Sequence, residues 1–545
     1  MKRKSFNKEN KDNKDNKDNN SNENISNDNS NNDNSNNDNS NKDNSDKKPF
    51  FKPYSHDSNY FLDGPNFSRH GSFYQEGKYQ SHLFNLMEKI GICKYSTLTF
   101  IICAMVYFAF GSELCFIEVN FECLTYFWDI EYKNYAAFML VLRLMLAIGA
   151  FLAGLCAKYF DRANILMLSI ISYMIFTFFC SVFHNMWWFL LCRCFSNIAI
   201  SISYILSTNL LTEYLPTKSR QFYLMILITF FNLGKCYFLF VNNVFFNQSF
   251  DSGRFKSVNF LIAIPTLIPF FITLFYIRDS PIYLFSKSKD FEGFTILGKM
   301  AKDSEVEFVE SDKHIIKRDL INRNNYILKY NFFELAKSDF IAITTICFFT
   351  HVFIFFNLMG FVPILIKTID VINKVLRTEW DDPQLTNRNH DLLIFYLFSI
   401  PSGLIAYYLS IIKVFRKGRS ICLLQLISAL LSFIVMFLGN FPLVIFFITA
   451  ILSMIHCVCI QIIIVYISEV FPTRLRDYAQ SFTLFFSYLI SSFIPLMAKN
   501  VENNVMNIYI MFGVLSLLSM FCSFFLKVDT YDRPLDEDIS LIEEK

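Results

Sequence analysis

Between residues 96 and 527 apolar runs of roughly 20 residues follow one another, a spacing that excludes most folds at once. At about 1.5 Å per helical residue, each run can cross a hydrocarbon core of roughly 30 Å. A chain inside that core has no water to satisfy its backbone N–H and C=O groups, so each run is expected to be an α-helix. Twelve runs lie near 96–118, 135–157, 164–183, 187–212, 221–246, 258–277, 339–366, 390–412, 420–438, 442–468, 477–498 and 506–527. A polar segment, 279–338, with ten Lys or Arg and ten acids, divides them six and six. The expected fold class is an all-α membrane protein of twelve transmembrane helices in two six-helix bundles, 95–278 and 339–527, joined by a cytoplasmic linker with short helices.

A short pattern occurs once in each half. Glu213-Tyr-Leu-Pro216-Thr217-Lys218-Ser-Arg220 and Glu469-Val-Phe-Pro472-Thr473-Arg474-Leu-Arg476 both place Pro at +3, Thr at +4 and Arg at +7 from the Glu, and each copy sits between two apolar runs. Recurrence at equivalent points marks an internal repeat. Two similar halves filled with membrane helices are the signature of a carrier that works by alternating access.

Composition narrows the class further. Residues 1–48 are Asn, Asp, Lys and Ser with almost no apolar side chains, so they cannot offset chain entropy by burial and are expected to form a disordered, Asn-rich low-complexity tail. Residues 49–94 read as a cytoplasmic lead-in and 528–545 as a cytoplasmic tail, and no apolar core follows the first basic residues as a secretory signal would require. The formal charge of +2 gives no basic face, so no nucleic-acid partner is expected. The 14 Cys are scattered without a C-x-x-C pair and read as small buried hydrophobes, so neither a metal nor any cofactor is expected. No nucleophile constellation or phosphate-binding Gly loop appears, and the chain is not read as an enzyme.

Basic residues in the short loops set the orientation. Lys158 and Arg162, Lys218 and Arg220, the Lys413/Arg416/Lys417/Arg419 cluster, and Arg474 with Arg476 all fall on one side, which is expected to be cytoplasmic together with both termini. The sequon Asn247-Gln-Ser249 then faces outward or into a lumen, and the basic 367–388 loop is the exception. The membrane is either the plasma membrane or that of an intracellular vesicle.

At this point the residues resemble the major facilitator superfamily, in its branch of sugar porters, organic-ion transporters, and synaptic-vesicle-glycoprotein and niacin-carrier relatives. Arg193 precedes Glu213, Pro216 and Arg220 at the spacing that branch uses, Arg278-Asp279-Ser280-Pro281-Ile-Tyr283-Leu284 looks like its E-S-P-R-Y-L signature, and Phe294 to Lys302 is similar to its linker helix. The resemblance implies gating ion pairs around Glu213, Arg220, Glu469 and Arg476, with the two Glu capping Arg162 and Arg419. The loop Gly154-Leu-Cys-Ala-Lys158-Tyr-Phe-Asp161-Arg162 departs from the family pattern by placing Lys158 where an acid belongs. The sugar-contacting positions also differ: Ile228 replaces a Gln, His351 and a Phe-rich stretch replace the Gln-rich helix-seven motif, and Gln461 to Ile464 replace the helix-ten motif. Tyr488 falls where organic-ion transporters carry a charge. Tyr488, His351 and Gln461 are therefore candidate substrate contacts.

Charges inside the apolar runs are the remaining candidates, because each costs about 2.5–3.5 kcal/mol near the bilayer centre by insertion scales and needs a partner or a task. Glu113 and Arg193 read as a proton-coupling pair, with a permanently ionised structural pair as the alternative. Arg143 reads either as snorkelling to the surface or as an outer gate with Glu118 or Glu122. Lys235 reads as a direct substrate contact or as a counter-ion of Glu113. Lone His351 and His456 are as readily packed as titrating.

The expected activity is transport of a small polar organic solute, coupled to protons, with a vitamin-like monocarboxylate of the pantothenate or nicotinate type as the best match. A hexose or polyol facilitator is the alternative, and a non-transporting carrier-fold protein of vesicle biogenesis is a third reading. The partners are the solute, the proton and the lipid bilayer.

Overall fold

The computed structural model describes residues 82–120, 124, 128, 132–183, 185–246, 252–324, 332–336, 338–376, 385–412, 416–438, 441–495, 505–528, 530 and 535. The expected tail 1–48, the lead-in as far as 81, the sequon and most of 528–545 lie outside these residues. Every regular element among the described residues is helical.

Each apolar run becomes a helix or a broken pair of helices. Spans one to four are Lys94–Val119, Tyr132–Tyr159, Arg162–Val182 and Met186–Tyr214. Span five is Thr217–Met225 with Leu227–Phe246, and span six is Ser252–Ala263 with Leu267–Tyr276, joined by a 3-10 turn that contains Pro265. Spans seven to twelve are Ser338–Leu376, Leu385–Leu397 with Ser402–Ile411, Lys417–Val435, Pro442–Val470, Thr473–Ser491 and Val505–Phe524. Pro401 stands at the break in span eight, where its missing N–H interrupts the helical ladder. Among the described residues, eleven helices are long and apolar enough to cross a membrane. Span eleven is the exception because it opens with Arg474, Arg476 and Asp477.

Burial sorts the spans by position. In the stretches that could cross, spans three, nine and twelve are 33% buried and span six 39%, whereas span one is 78% and spans four, five and ten 67%. The exposed side chains of the first group are large and apolar, among them Phe179, Phe271, Leu430 and Phe521. Such a surface suits lipid and not water. Spans one, four, five and ten carry the interior, and the seam between the halves is made where span two packs on span eleven and span five on span eight.

The repeat has a structural purpose. Pro216 and Pro472 each stand just before a helix, with φ/ψ of −64°/151° and −55°/152°. In both copies the Arg at +7 donates its backbone N–H to that proline's carbonyl, Arg220 at 3.0 Å and Arg476 at 2.9 Å. Their guanidiniums reach back to Leu215 O at 3.4 Å and Phe471 O at 3.5 Å. The same local turn is thus built twice, once in each half.

Two of the scarce glycines fix where span five meets span one. A Cβ on Gly234 would lie 1.9 Å from Phe108 O, and one on Gly111 would lie 2.0 Å from Phe231 O. The Ser112 hydroxyl donates to Gly234 O at 2.9 Å across the same crossing. Close approach of two backbones permits only hydrogen at these positions. Gly234→Val is expected to lower the detergent thermal stability by the equivalent of about 1–3 kcal/mol, the usual cost of overpacking, whereas unchanged melting would contradict the close crossing.

Candidate functional site

Three groups of buried charged side chains lie along the interior. The first joins the halves at the end that carries the two repeat turns. Glu213, fully buried at the end of span four, accepts from Arg162 at 2.5 Å and from Arg476 of the other half at 2.7 Å, and the Ser280 hydroxyl also donates to it. Arg162 donates to Asp477 Oδ2 at 2.7 Å and to Thr473 O at 2.8 Å, and its guanidinium lies 4.2 Å from the Tyr283 ring centroid. Asn209 donates to Asp477 Oδ1 at 2.8 Å. On the other copy, Glu469 accepts from Gln221 of the first half at 2.6 Å and is paired with Lys417, which also donates to Thr530 at 2.8 Å. Each repeat Glu is therefore held by a donor of its own half and one of the opposite half.

Sequence and structure differ here at two points. Glu469 is paired with Lys417, whereas Arg419, the expected partner, is exposed. The helix of span nine begins at Lys417, and two positions along a helix is about 200° of rotation, so only one of the two can turn inward. The acid displaced from the loop by Lys158 reappears as Asp477 on span eleven, which bonds Arg162 from the opposite half. Lys158 takes part through its carbonyl, which accepts from Lys287 Nζ at 2.6 Å. A cavity of about 370 Å³ opens beside this network, lined by Lys158, Arg162, Lys287 and Arg474 with Asp477 as its acid. Nearby, burial pushes the Asp279 carboxyl up to about 6, against the lowering effect of the hydrogen bond from Ala163 N.

The second group is Glu113 with Arg193, both fully buried and joined in an ion pair. Arg193 also donates to Asn259 Oδ1 at 2.6 Å and lies 3.9 Å from the Phe116 ring centroid, while the Tyr173 hydroxyl reaches Glu113 Oε2 at 3.4 Å. Glu113 Oε1 is buried without a hydrogen-bond partner. Arg193 thus has Asn259 and the Phe116 ring as partners besides Glu113.

The third group lies further along span one. Arg143 is 3% exposed, so it does not snorkel; it pairs with Glu118 at 3.4 Å and donates to Ser491 O of the opposite half at 2.8 Å. Lys235 is 2% exposed and forms no hydrogen bond or ion pair with the described residues, so it is not joined to Glu113. Its ammonium sits 4.7 Å from the ring centroids of both Phe231 and Tyr396, one ring from each half. Other unpartnered polar atoms line the interior. Tyr488 Oη, His351 Nε2, Gln461 Oε1 and Tyr396 Oη are all buried without a partner. Tyr488 packs against Phe110 and Phe355, His351 bonds Ser487 at 2.7 Å, Gln461 donates to Leu224 O at 2.5 Å, and His456 bonds Leu452 O at 2.8 Å.

Asp477, Asn209, Gln221, Asn259, Tyr173 and Tyr396 are interior residues that sequence reading missed, and Lys417 was read only as part of a basic loop. Asp477 alone had a signal, an acid directly after the repeat Arg of a membrane-bound run. Arg476→Gln removes a bond across the halves while leaving Glu213 its pair with Arg162. Truncating one partner of a buried charge pair costs about 2–5 kcal/mol, so maleimide labelling of a cysteine placed at Ser207, fully buried on span four just before Asn209, is expected to speed up by at least about tenfold. An unchanged labelling rate would show that this network does not hold the end closed.

The chain matches the model of the Major Facilitator Superfamily over residues 95–495. The proton:xylose symporter XylE bound to 6-bromo-6-deoxy-D-glucose is similar in fold, with a TM-score of 0.64 at 15% identity over 83% of this chain and 99% of that one. Inward-open XylE from E. coli gives 0.55 at 16% identity over 81% and 98%. A gallate transporter of Pseudomonas putida is 26% identical over 143 residues, which are 26% of this chain and 32% of that protein, so the match spans about a third of the relative's length. With the family model covering most of the chain and the fold shared over 83% of it, the protein belongs to the Major Facilitator Superfamily and is a multi-pass membrane protein.

Proposed function

We propose that the protein carries a small organic monocarboxylate, coupled to protons, by alternating access between its two halves. One observation carries this reading: Lys235 is buried mid-span with aromatic faces around it and no hydrogen bond or ion pair to the described residues. An ammonium in that state is poorly compensated, and a solute carboxylate supplies the missing charge-assisted bonds. Flanking Phe231 and Tyr396, from opposite halves, are suited to a flat or apolar body behind that carboxylate. A pantothenate- or nicotinate-type vitamin meets these demands, and the partial likeness to a gallate transporter favours an aromatic carboxylate. The sugar reading draws only on the shared fold, because Ile228 and Ile464 offer a polyol no donors.

Glu113 is the proposed proton carrier, since protonation would neutralise its pair with Arg193 as access alternates. The network of Arg162, Glu213, Arg476 and Asp477 is the proposed cytoplasmic gate, assisted by Arg220, and Arg143 the proposed outer one. Tyr488, His351 and Gln461 are the proposed further substrate contacts.

Lys235→Met tests the anion site in two ways. Removing one partner of a buried charge pair costs about 3–5 kcal/mol, so nicotinate, pantothenate or gallate affinity is expected to fall by at least about a hundredfold. The unliganded variant is expected to melt at a higher temperature, since an uncompensated buried charge has been removed. Intact carboxylate affinity in Lys235→Met would overturn the proposed site.

A further inference from the structure

We infer that Glu118 sets the charge of the solute, by acting as a built-in counter-ion that leaves room for one further negative charge. The inference rests on the anion reading above and adds to it which anions are accepted. Glu118, Arg143 and Lys235 come from spans one, two and five and are 7%, 3% and 2% exposed. Their neighbours are apolar: Cys115, Ile117, Leu142, Leu239 and Phe395 belong to the same buried cluster. Ser112 bonds Gly234 O and Phe116 meets Phe238 at 5.8 Å between ring centroids, so spans one and five run side by side and Lys235 stands about one and a half turns from the level of Glu118, without an ion pair between them.

Two cations and one carboxylate leave a surplus of one positive charge. Glu118 spends one oxygen on Arg143, which is further fixed by Ser491 O at 2.8 Å from the opposite half. Arg143 is therefore held in the wall of the site. The surplus falls on Lys235, whose ammonium has only the ring faces of Phe231 and Tyr396 beside it among the described residues. A monoanion cancels the surplus. A neutral solute leaves it in place, and a dianion replaces it with a negative one, both of which are costly in a site this apolar. Glu118 thereby disfavours dicarboxylates, and selection works by an unfavourable charge as well as by contacts.

The test compares benzoate with phthalate, a pair that differs by one carboxylate, at pH 7.5 where both are ionised. Binding is read as ligand-induced thermal shift of the full-length purified protein, with the Kd ratio extracted from titrations. The parent protein is expected to prefer benzoate. Glu118→Gln keeps an acceptor for Arg143 but raises the surplus to two, and it should move the ratio towards phthalate by at least about tenfold, equivalent to about 1.4 kcal/mol. Adding Lys235→Gln returns the surplus to one and should restore the original preference, at lower affinity. Arg143→Gln reaches the problem from the other side: it removes the surplus and should weaken benzoate without favouring phthalate. A ratio unchanged by Glu118→Gln, or a double variant that still favours phthalate, would overturn the role of Glu118 while leaving the anion site standing. A parent protein that binds neither carboxylate but is stabilised by xylose would overturn the anion reading and this inference together.

Discussion

Glu213 is a single buried carboxylate claimed by two arginines, Arg162 from its own half and Arg476 from the other, and that sharing joins the two halves at one end. A buried acid with two guanidiniums would itself be unbalanced, and Asp477 supplies the second negative charge by bonding Arg162. The result is a compact square of two acids and two bases in which every ion pair but one, Arg162 with Glu213, crosses the seam. Such a set is stable when assembled and costly when half broken, which favours two discrete states over a continuum. The proline turns at Pro216 and Pro472 place Glu213 and Arg476 at equivalent points of the two halves, so a rocking motion separates all the cross-half partners at once.

The interior uses the same physics with a different balance. Glu113 and Arg193 are matched one to one, whereas Glu118 is outnumbered by Arg143 and Lys235. A matched pair needs no further charge, whereas an unmatched cation invites an anion from outside. On the proposed reading these two arrangements would give the carrier separate places for the proton and for the solute. Phe231 and Tyr396 come from opposite halves, so a solute held between them at Lys235 would feel any relative motion of the bundles.

Much of this was legible in the sequence. Run length and apolarity are local properties that a bilayer reads directly, and each of the twelve runs became a helix or a broken pair. The breaks were less visible: Pro265 and Pro401 interrupt spans six and eight inside runs that read as continuous. Glu113 and Arg193 could be paired because the family resemblance puts them on facing helices. Lys417 could not be chosen over Arg419 without the helix start that decides which one turns inward. Asp477 stood in view directly after Arg476, but its partner Arg162 belongs to the opposite half, and a sequence comparison made loop by loop does not look across the seam.

The most direct test of the account is uptake into liposomes containing the purified protein, with an inwardly directed proton gradient and labelled nicotinate, pantothenate, gallate and xylose offered in parallel. The account predicts accumulation of a carboxylate above equilibrium, no competition by xylose, and loss of accumulation in Glu113→Gln. Gradient-driven uptake of xylose that none of the carboxylates inhibits would contradict it.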